Sequence, residues 1–234
     1  MKLLAIDTSG PVCGVAILTD EGVRYECAVT NKLTHSVNLL PMIDAAFAAT
    51  GLSLKDMDRI AVTVGPGSFT GVRIGVSTVK GLAHGADIPC VAVDALAAMA
   101  AGVGDFDGAV CPIQDARAGQ VYGAVFRVRG GVPERLTDDT PMKLEDFVAT
   151  AATFGQRCLF LGDGMPVHRD KLAALLGDRA VFAAPQAAYL RPASVAWLGS
   201  IQDEVVDYRA LSPLYLRAPS AERNRKLMEA AHAE

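Results

Sequence analysis

The chain is poor in aromatics, which make up 6% of its 234 residues with one tryptophan, and it lacks an excess of positive charge, since 22 Lys+Arg face 26 Asp+Glu. A basic face with interleaved aromatics, the composition that grips RNA, is therefore missing, and any contact with nucleic acid must be local or shared with another subunit. The net charge of −4 provides no field toward anionic lipid either. No run reaches the roughly 18 uninterrupted apolar residues of a membrane helix. The longest candidate, Cys90 to Ala101, is split by Asp94. Asp7 interrupts the apolar opening before a secretory leader can build up, so a soluble, cytoplasmic protein with no membrane association is expected. The five cysteines (Cys13, Cys27, Cys90, Cys111, Cys158) stand singly with no C-x-x-C pair, and read as buried, reduced thiols. The four histidines (His35, His84, His168, His232) are far apart, so no pair spaced four residues along a helix exists to hold a metal.

What the chain does have is apolar mass. Hydrophobic residues make up 51% against 21% charged, and the mean hydropathy is +0.27. That excludes disorder and leaves apolar surface for a partner to cover. The opening reads as a β-meander: Leu3 to Ile6, an Asp7-Thr8-Ser9-Gly10 elbow, Cys13 to Leu18, then Tyr25 to Val29. Val37, Leu40, Ile43 and Phe47 return at helical spacing until Gly51, with Pro41 in conflict unless it lies near the first turn or kinks the helix. Strands Arg59 to Val64 and Cys90 to Val93 then alternate with helices Gly71 to Ala83 and Ala95 to Ala101, which argues for an α/β layered sheet.

From Ala109 the pattern restarts. A strand to Gln114, a turn from Asp115 to Gly119 and a strand Val121 to Val128 echo the opening, because Val12-Cys13-Gly14 and Val121-Tyr122-Gly123 share a V-x-G start after a turn that begins with Asp. Helix Lys143 to Ala152, strand Cys158 to Leu161, helix Val167 to Leu176, strand Ala180 to Phe182 and helix Ala193 to Ile201 complete this half, and the chain crosses back through Pro213 to Arg217. The weak segment from Gly102 to Gly108 divides the halves, giving lobes 1–104 and 105–217 and a tail 218–234.

The most distinctive stretch runs from Val62 through Gly65-Pro66-Gly67-Ser68-Phe69-Thr70-Gly71-Val72-Arg73-Ile74-Gly75. A Gly-rich turn leading into a helix can hold a phosphate on its amides. Neither the Walker loop nor G-x-G-x-x-G matches, since Thr70 and Gly71 stand where Gly-Lys or the third Gly would be needed. Val72, Val76, Val79 and Ala83 form an apolar stripe beside Gly71 and Gly75, which reads as structural packing or partner docking, with phosphate contact as the other reading. Phe69, exposed at the loop tip, would favour a protein interface. Asp7, with Thr8 and Ser9, is either a metal or phosphate contact or an Asx-turn carboxylate serving local N–H groups. Asp115 at the matching elbow could be neutralised by Arg117, and His35 is either a general base or a helix-start packing residue.

Leu3 to Gly10, Thr34-His35-Ser36 through Leu39-Leu40-Pro41, the Gly65 to Leu82 block, Asp115-Ala116-Arg117 with Gln120-Val121-Tyr122, and Leu214-Tyr215-Leu216-Arg217 together resemble the TsaB (YeaZ) family. The resemblance implies an α/β protein of two RNase-H-like halves of the actin-like, sugar-kinase (ASKHA) superfamily, with mixed sheets flanked by helices. It further implies a non-catalytic partner of the transferase TsaD in making threonylcarbamoyladenosine beside the tRNA anticodon. In the transferase two metal-ligating histidines fall at positions equivalent to Ala95 and Met99, neither of which can ligate as imidazole does. Metal and threonylcarbamoyl-adenylate would then sit on TsaD, with no cofactor assigned to this chain and ATP or ADP admissible at the subunit interface. The implied docking set is Val37, Leu40, Phe69, Gly71, Val72, Arg73, Gly75, Val76, Val79 and Lys80, and the nucleotide or phosphate set is Asp7, Thr8, Ser9, Gly65, Gly67 and Ser68. TsaE and, indirectly, tRNA would join through the complex, and the chain alone would form a homodimer. The rival readings are an ATPase built on the Asp7 elbow and, more remotely, a glycoprotease-like metallopeptidase.

Overall fold

Leu3 and Ala5 of β1 (Leu3–Asp7) point to one side of their sheet and Leu4 and Ile6 to the other, and all four are buried, so the strand is central with both faces covered. β2 (Cys13–Thr19) and β3 (Gly22–Val29) continue as an antiparallel meander, and α1 (His35–Thr50) leads to β4 (Arg59–Gly65), parallel to β1. α2 (Phe69–Ala86) connects β4 to the parallel β5 (Cys90–Asp94), and α3 (Ala95–Ala101) follows at once. The strand order is β3-β2-β1-β4-β5. The computed structural model describes residues 1–216 apart from Lys32 and Ala118. Arg217 and the tail 218–234 lie outside the described residues.

The second half repeats this topology. β6 (Ala109–Arg117) pairs antiparallel with β7 (Gln120–Gly123); a hairpin of β8 (Phe126–Arg129) and β9 (Val132–Arg135) is inserted; β10 (Thr140–Lys143) then rejoins β7. α4 (Leu144–Ala151), β11 (Cys158–Leu161), α5 (Gly164–Leu176), β12 (Ala180–Phe182) and α6 (Pro192–Ile201) complete the order β10-β7-β6-β11-β12, with the same strand directions as in the first sheet. The V-x-G echo thus marks the second strand of each half. A Cβ on Gly14 would meet the Pro192 ring at 2.9 Å and one on Gly123 the Phe147 ring at 2.7 Å, so each glycine admits a helix onto its sheet.

Several expectations are corrected. The single strand Val121 to Val128 breaks at Ala124-Val125, because β7 stays in the main sheet while β8 turns away to pair with β9. β9 and β10 escape a sequence reading because each contains a proline, Pro133 or Pro141, tolerated at these outer positions where one side of the strand needs no ladder bond. α2 starts at Phe69, two residues before the expected Gly71, since Ser68 caps it by accepting the Gly71 N–H at 3.3 Å. Pro41 lies inside α1 rather than in its first turn. The inward face of α1 is Leu39, Met42, Ile43 and Ala46, which leaves Val37 and Leu40 exposed by 59% and 53%.

Three apolar cores result. One joins Leu4, Ile6, Val15, Ile60 and Val62 to α1 and α2. A second joins Cys111, Ile113 and Phe160 to α4 and α5. The central one joins Leu3, Ala5, Ala16, Ala61 and Val93 to α3 and α6 and on to Val110, Phe126 and Val128 of the second half. α6 follows the second sheet in sequence yet packs on the first, and Gly199 makes this close, since a Cβ there would stand 2.5 Å from that of Ala61. The cysteines are free, with Cys27 half-buried and the others buried. No helix among the described residues is long and apolar enough to cross a membrane.

Candidate functional site

The C-terminal ends of β1, β4, β6 and β11 converge on a cleft of about 570 Å³ between the halves, walled by Ser9 to Pro11, Pro66 to Thr70, Gln114 to Arg117, Asp163 and Leu214 to Leu216. Strand ends at such a junction are where α/β proteins hold ligands. The Asp7 elbow forms its inner edge. Asp7 Oδ1 accepts from Ser9 N at 2.9 Å, Ser9 Oγ at 2.7 Å and Thr63 Oγ1 at 2.6 Å, the geometry of an Asx-turn, while buried Oδ2 has no hydrogen-bond partner among the described residues. Burial raises the Asp7 carboxyl above its ordinary range against the pull of those donors. Thr8 Oγ1 donates to Gly71 O at 2.8 Å and the Ser9 carbonyl accepts from Ser68 N at 2.7 Å, so elbow and glycine loop are laced together. Gly67 and Gly71 exist for this contact: a Cβ would stand 2.3 Å from Ser9 O and 2.1 Å from Thr8 O. Gly65, at φ 121°, lets Leu214 bring its carbonyl to 2.6 Å from where a Cβ would be. Asp7, Thr8 and Ser9 are buried, Gly67 is half-buried and Ser68 exposed at the cleft.

The docking set divides into three groups. Val37, Leu40 and Arg73 are exposed. Val72, Val76 and Val79 are 2%, 3% and 0% exposed inside the core and have no surface to offer, while Gly71 and Gly75 press on Thr8. For these five the expectation of a partner-facing stripe is corrected: the narrow wet face of α2 arises because the helix packs on its own sheet. Phe69 is half-buried rather than exposed, stacked on Tyr215 at 4.8 Å with the Arg73 guanidinium 3.8 Å over its ring, and Arg73 Nε donates to Tyr215 Oη at 2.6 Å. Lys80 Nζ donates to Leu211 O at 3.0 Å. Phe69 and Lys80 therefore anchor the returning C-terminal segment.

Across the cleft, Asp115 accepts from the Arg117 backbone N–H at 3.0 Å and lies 3.7 Å from His168 Nε2. The expected side-chain ion pair with Arg117 does not occur among the described residues. His35 Nε2 donates to Gly10 O at 2.9 Å and its ring lies beside Gly71, a packing position at the start of α1. Asp163 and Gln114 were missed by sequence reasoning. The Gly162-Asp163-Gly164 turn straight after a buried strand was the signal for the first, and nothing marked the second. Burial pushes Asp163 up to about 6, with repulsion from Asp115 in the same sense, although backbone N–H groups oppose the shift. Ala95 and Met99, buried in α3, present no metal-ligating nitrogen. Among the described residues no three His, Cys, Asp or Glu side chains gather as a metal cluster.

This geometry has relatives. The family model described as TsaD, tRNA N6-adenosine threonylcarbamoyltransferase, matches residues 29–224. The tRNA threonylcarbamoyladenosine biosynthesis protein TsaB of Bacillus subtilis is 36% identical over 95% of this chain and 96% of its own length. The structure of YeaZ from Pseudomonas aeruginosa superimposes with a TM-score of 0.72 at 25% identity, covering 92% of this chain and 99% of that one. A ROK hexokinase from Thermus thermophilus shares the fold alone, with a TM-score of 0.50 at 12% identity over 86% of this chain and 100% of that one. The duplicated sheets, the glycine loop laced to the Asp7 elbow and a match along nearly the whole chain agree, and the chain belongs to the TsaB (YeaZ) family.

Proposed function

We propose that this chain is a non-catalytic scaffold subunit in threonylcarbamoyl modification of tRNA adenosine, docking on and activating the TsaD transferase. The pathway is supported by the name of the B. subtilis relative, and a pseudo-symmetric pairing of related folds by the match to the transferase family model. The observation that carries the docking is the wet apolar ridge of α1: Val37 and Leu40 are more than half exposed, with Leu33 just ahead of the helix at 57%. Three exposed aliphatic side chains at the start of one helix lose free energy to water unless a partner covers them. Arg73 extends the interface, and the chain alone would pair through the same ridge as a homodimer. TsaE and tRNA join through the assembled complex, in the cytoplasm. In this reading the lobes are 1–104 and 105–217, followed by the tail 218–234.

The rival ATPase reading has its own support in the 570 Å³ cleft beside the glycine loop. One experiment separates them: light scattering after size exclusion, on the chain mixed with TsaD, with Leu40→Asp as the probe. Leu40→Asp, a surface change, should leave the melting temperature unchanged and abolish co-elution, and the isolated chain should not turn over ATP. Co-elution that survives Leu40→Asp and Val37→Asp together sinks the α1 interface. ATP turnover by the chain alone, lost in Asp7→Asn, would install the rival. Val76→Arg is unsuited to this purpose because it places a charge in the core.

A further inference from the structure

At the end of the second half away from the cleft, where β6 and β11 begin at Ala109 and Cys158, a groove of about 630 Å³ is walled by Phe106, Arg127, Arg129, Phe154 and Arg157. These five come from three segments: the link after α3, strand β8, and the loop between α4 and β11. Alternation along β8 sends Phe126 and Val128 into the core, so Arg127 and Arg129 project from the other side of the strand. The 152–156 loop is pinned by Arg179, whose Nε donates to Gln156 O at 3.0 Å and whose Nη2 donates to Ala152 O at 2.9 Å and Gly155 O at 3.0 Å. Ala109 N donates to Arg157 O at 2.9 Å, and Gly108 permits that approach, since a Cβ there would stand 2.4 Å from the same oxygen. The walls are thus fixed by backbone and need no ligand to assemble. Arg127 pairs with Glu134 at 3.1 Å, whereas Arg129 and Arg157 are exposed and meet no carboxylate among the described residues. The Arg157 guanidinium lies 5.3 Å from the centre of the Phe106 ring, and Phe154 is 37% exposed. Of the two acids on the walls, Asp105 accepts the Gly130 N–H and Asp107 is exposed.

We propose that this groove binds an unpaired segment of tRNA, with Arg129 and Arg157 on backbone phosphates and Phe154 under a base. It rests on the tRNA pathway of the reading above and not on docking to TsaD, and it gives this chain an RNA contact of its own. Every cation on the walls is an arginine, and no lysine lines the groove. The planar guanidinium fork matches two phosphate oxygens at once, and its face stacks on bases as an aromatic ring does. Unpaired bases splay onto such platforms, whereas a paired helix keeps its bases stacked on one another. An acidic peptide would use the two free guanidinia and leave Phe154 idle, and an apolar partner would desolvate both charges without pairing them. Over the whole chain the net charge is −4, and none of the five residues stands beside another in sequence. The interleaving of cations with aromatics is therefore made by folding, from positions as far apart as 106 and 157.

The test uses the full chain without TsaD and a fluorescein-labelled, unmodified tRNA transcript, read by anisotropy at rising salt. Binding should be weak, with Kd about 1–100 µM near physiological salt, and should fall as salt rises. Arg129→Gln together with Arg157→Gln should weaken it about tenfold or more and flatten the slope of log K against log salt by about 1.4, at about 0.7 for each phosphate contact on a single strand. Phe154→Ala should weaken an unpaired oligoribonucleotide several-fold and leave a fully paired RNA duplex unaffected. Arg24→Gln, an exposed arginine on β3, should change neither. No binding tighter than about 1 mM at low salt overturns the proposal. Binding that Arg129→Gln with Arg157→Gln leaves intact overturns it equally, and so does displacement of the transcript by polyglutamate as readily as by unpaired RNA, which would assign the groove to an acidic peptide. Should loss of the Arg157 contact with Phe106 lower the melting temperature, Arg129→Gln and Phe154→Ala decide the matter. Leu40→Asp, which tests docking through α1, should leave RNA binding unchanged, so the two readings fail separately.

Discussion

At the scale of single residues, close approach and burial decide more than polarity does. Gly71 and Gly81 lie on the same helix, yet a Cβ at Gly71 would stand 2.1 Å from the Thr8 carbonyl oxygen and one at Gly81 would meet nothing within 4 Å. Gly71→Ala is therefore expected to destabilise by roughly 1–3 kcal/mol, lowering the melting temperature by several degrees, while Gly81→Ala should gain about 0.5–1 kcal/mol. Paired thermal melts check this, and equal shifts of one sign would refute it. Asp94 accepts the Ala97 N–H at 2.6 Å as the cap of α3 and lies 3.2 Å from Arg135 Nη2, an arginine that also pairs with Asp139. Burial, followed by the neighbouring Asp139 carboxyl, pushes Asp94 up to about 8 from 3.8. A carboxyl raised on folding favours the native state while protonated, so its contribution is whole below about pH 4 and is lost as pH rises to about 8. Asp94→Asn keeps the cap and removes the titration. Unfolding free energies from urea titrations at pH 5 to 8 should fall less steeply in the variant, by up to about 1.4 kcal/mol per pH unit, and parallel curves would dismiss the idea.

At the scale of elements, spacing was legible and orientation was not. The helical period of α1 was read from Val37, Leu40, Ile43 and Phe47, yet the side turned to the sheet is Leu39, Met42, Ile43 and Ala46. Both stripes are apolar, so the sequence contains two candidate faces, and only the neighbouring strands choose between them. Pro41 sits on the exposed side in the helix interior, where it lacks the N–H that would bond to Val37 O. Pro41→Ala should stabilise the chain by as much as about 3 kcal/mol, with a rise in helical circular dichroism. An unchanged or lowered melting temperature would mean that the proline ring is needed for packing. β9 and β10 were illegible because a proline in a short polar run reads as loop, and an outer strand draws its stability from the neighbour it pairs with.

At the scale of the whole molecule, the central core makes the two halves one cooperative unit. α6, from the end of the described chain, covers the face of the first sheet that carries Leu3, Ala5 and Ala61. A fragment 1–104 would expose that face, so limited proteolysis should digest it under conditions that leave the full chain intact; a protease-resistant fragment would show that the lobe folds alone. The sequence by itself determined the order of elements, the duplicated meander, the missing imidazole pair and the family, because these are properties of local period, turn chemistry and residue type. The tertiary structure alone decided that Val72, Val76 and Val79 face inward, that Phe69 is roofed by Tyr215, and that Phe106, Arg129, Phe154 and Arg157 share one groove. Each of those depends on which surfaces meet across long stretches of chain, and local periodicity holds no information about a neighbour that arrives from the other half.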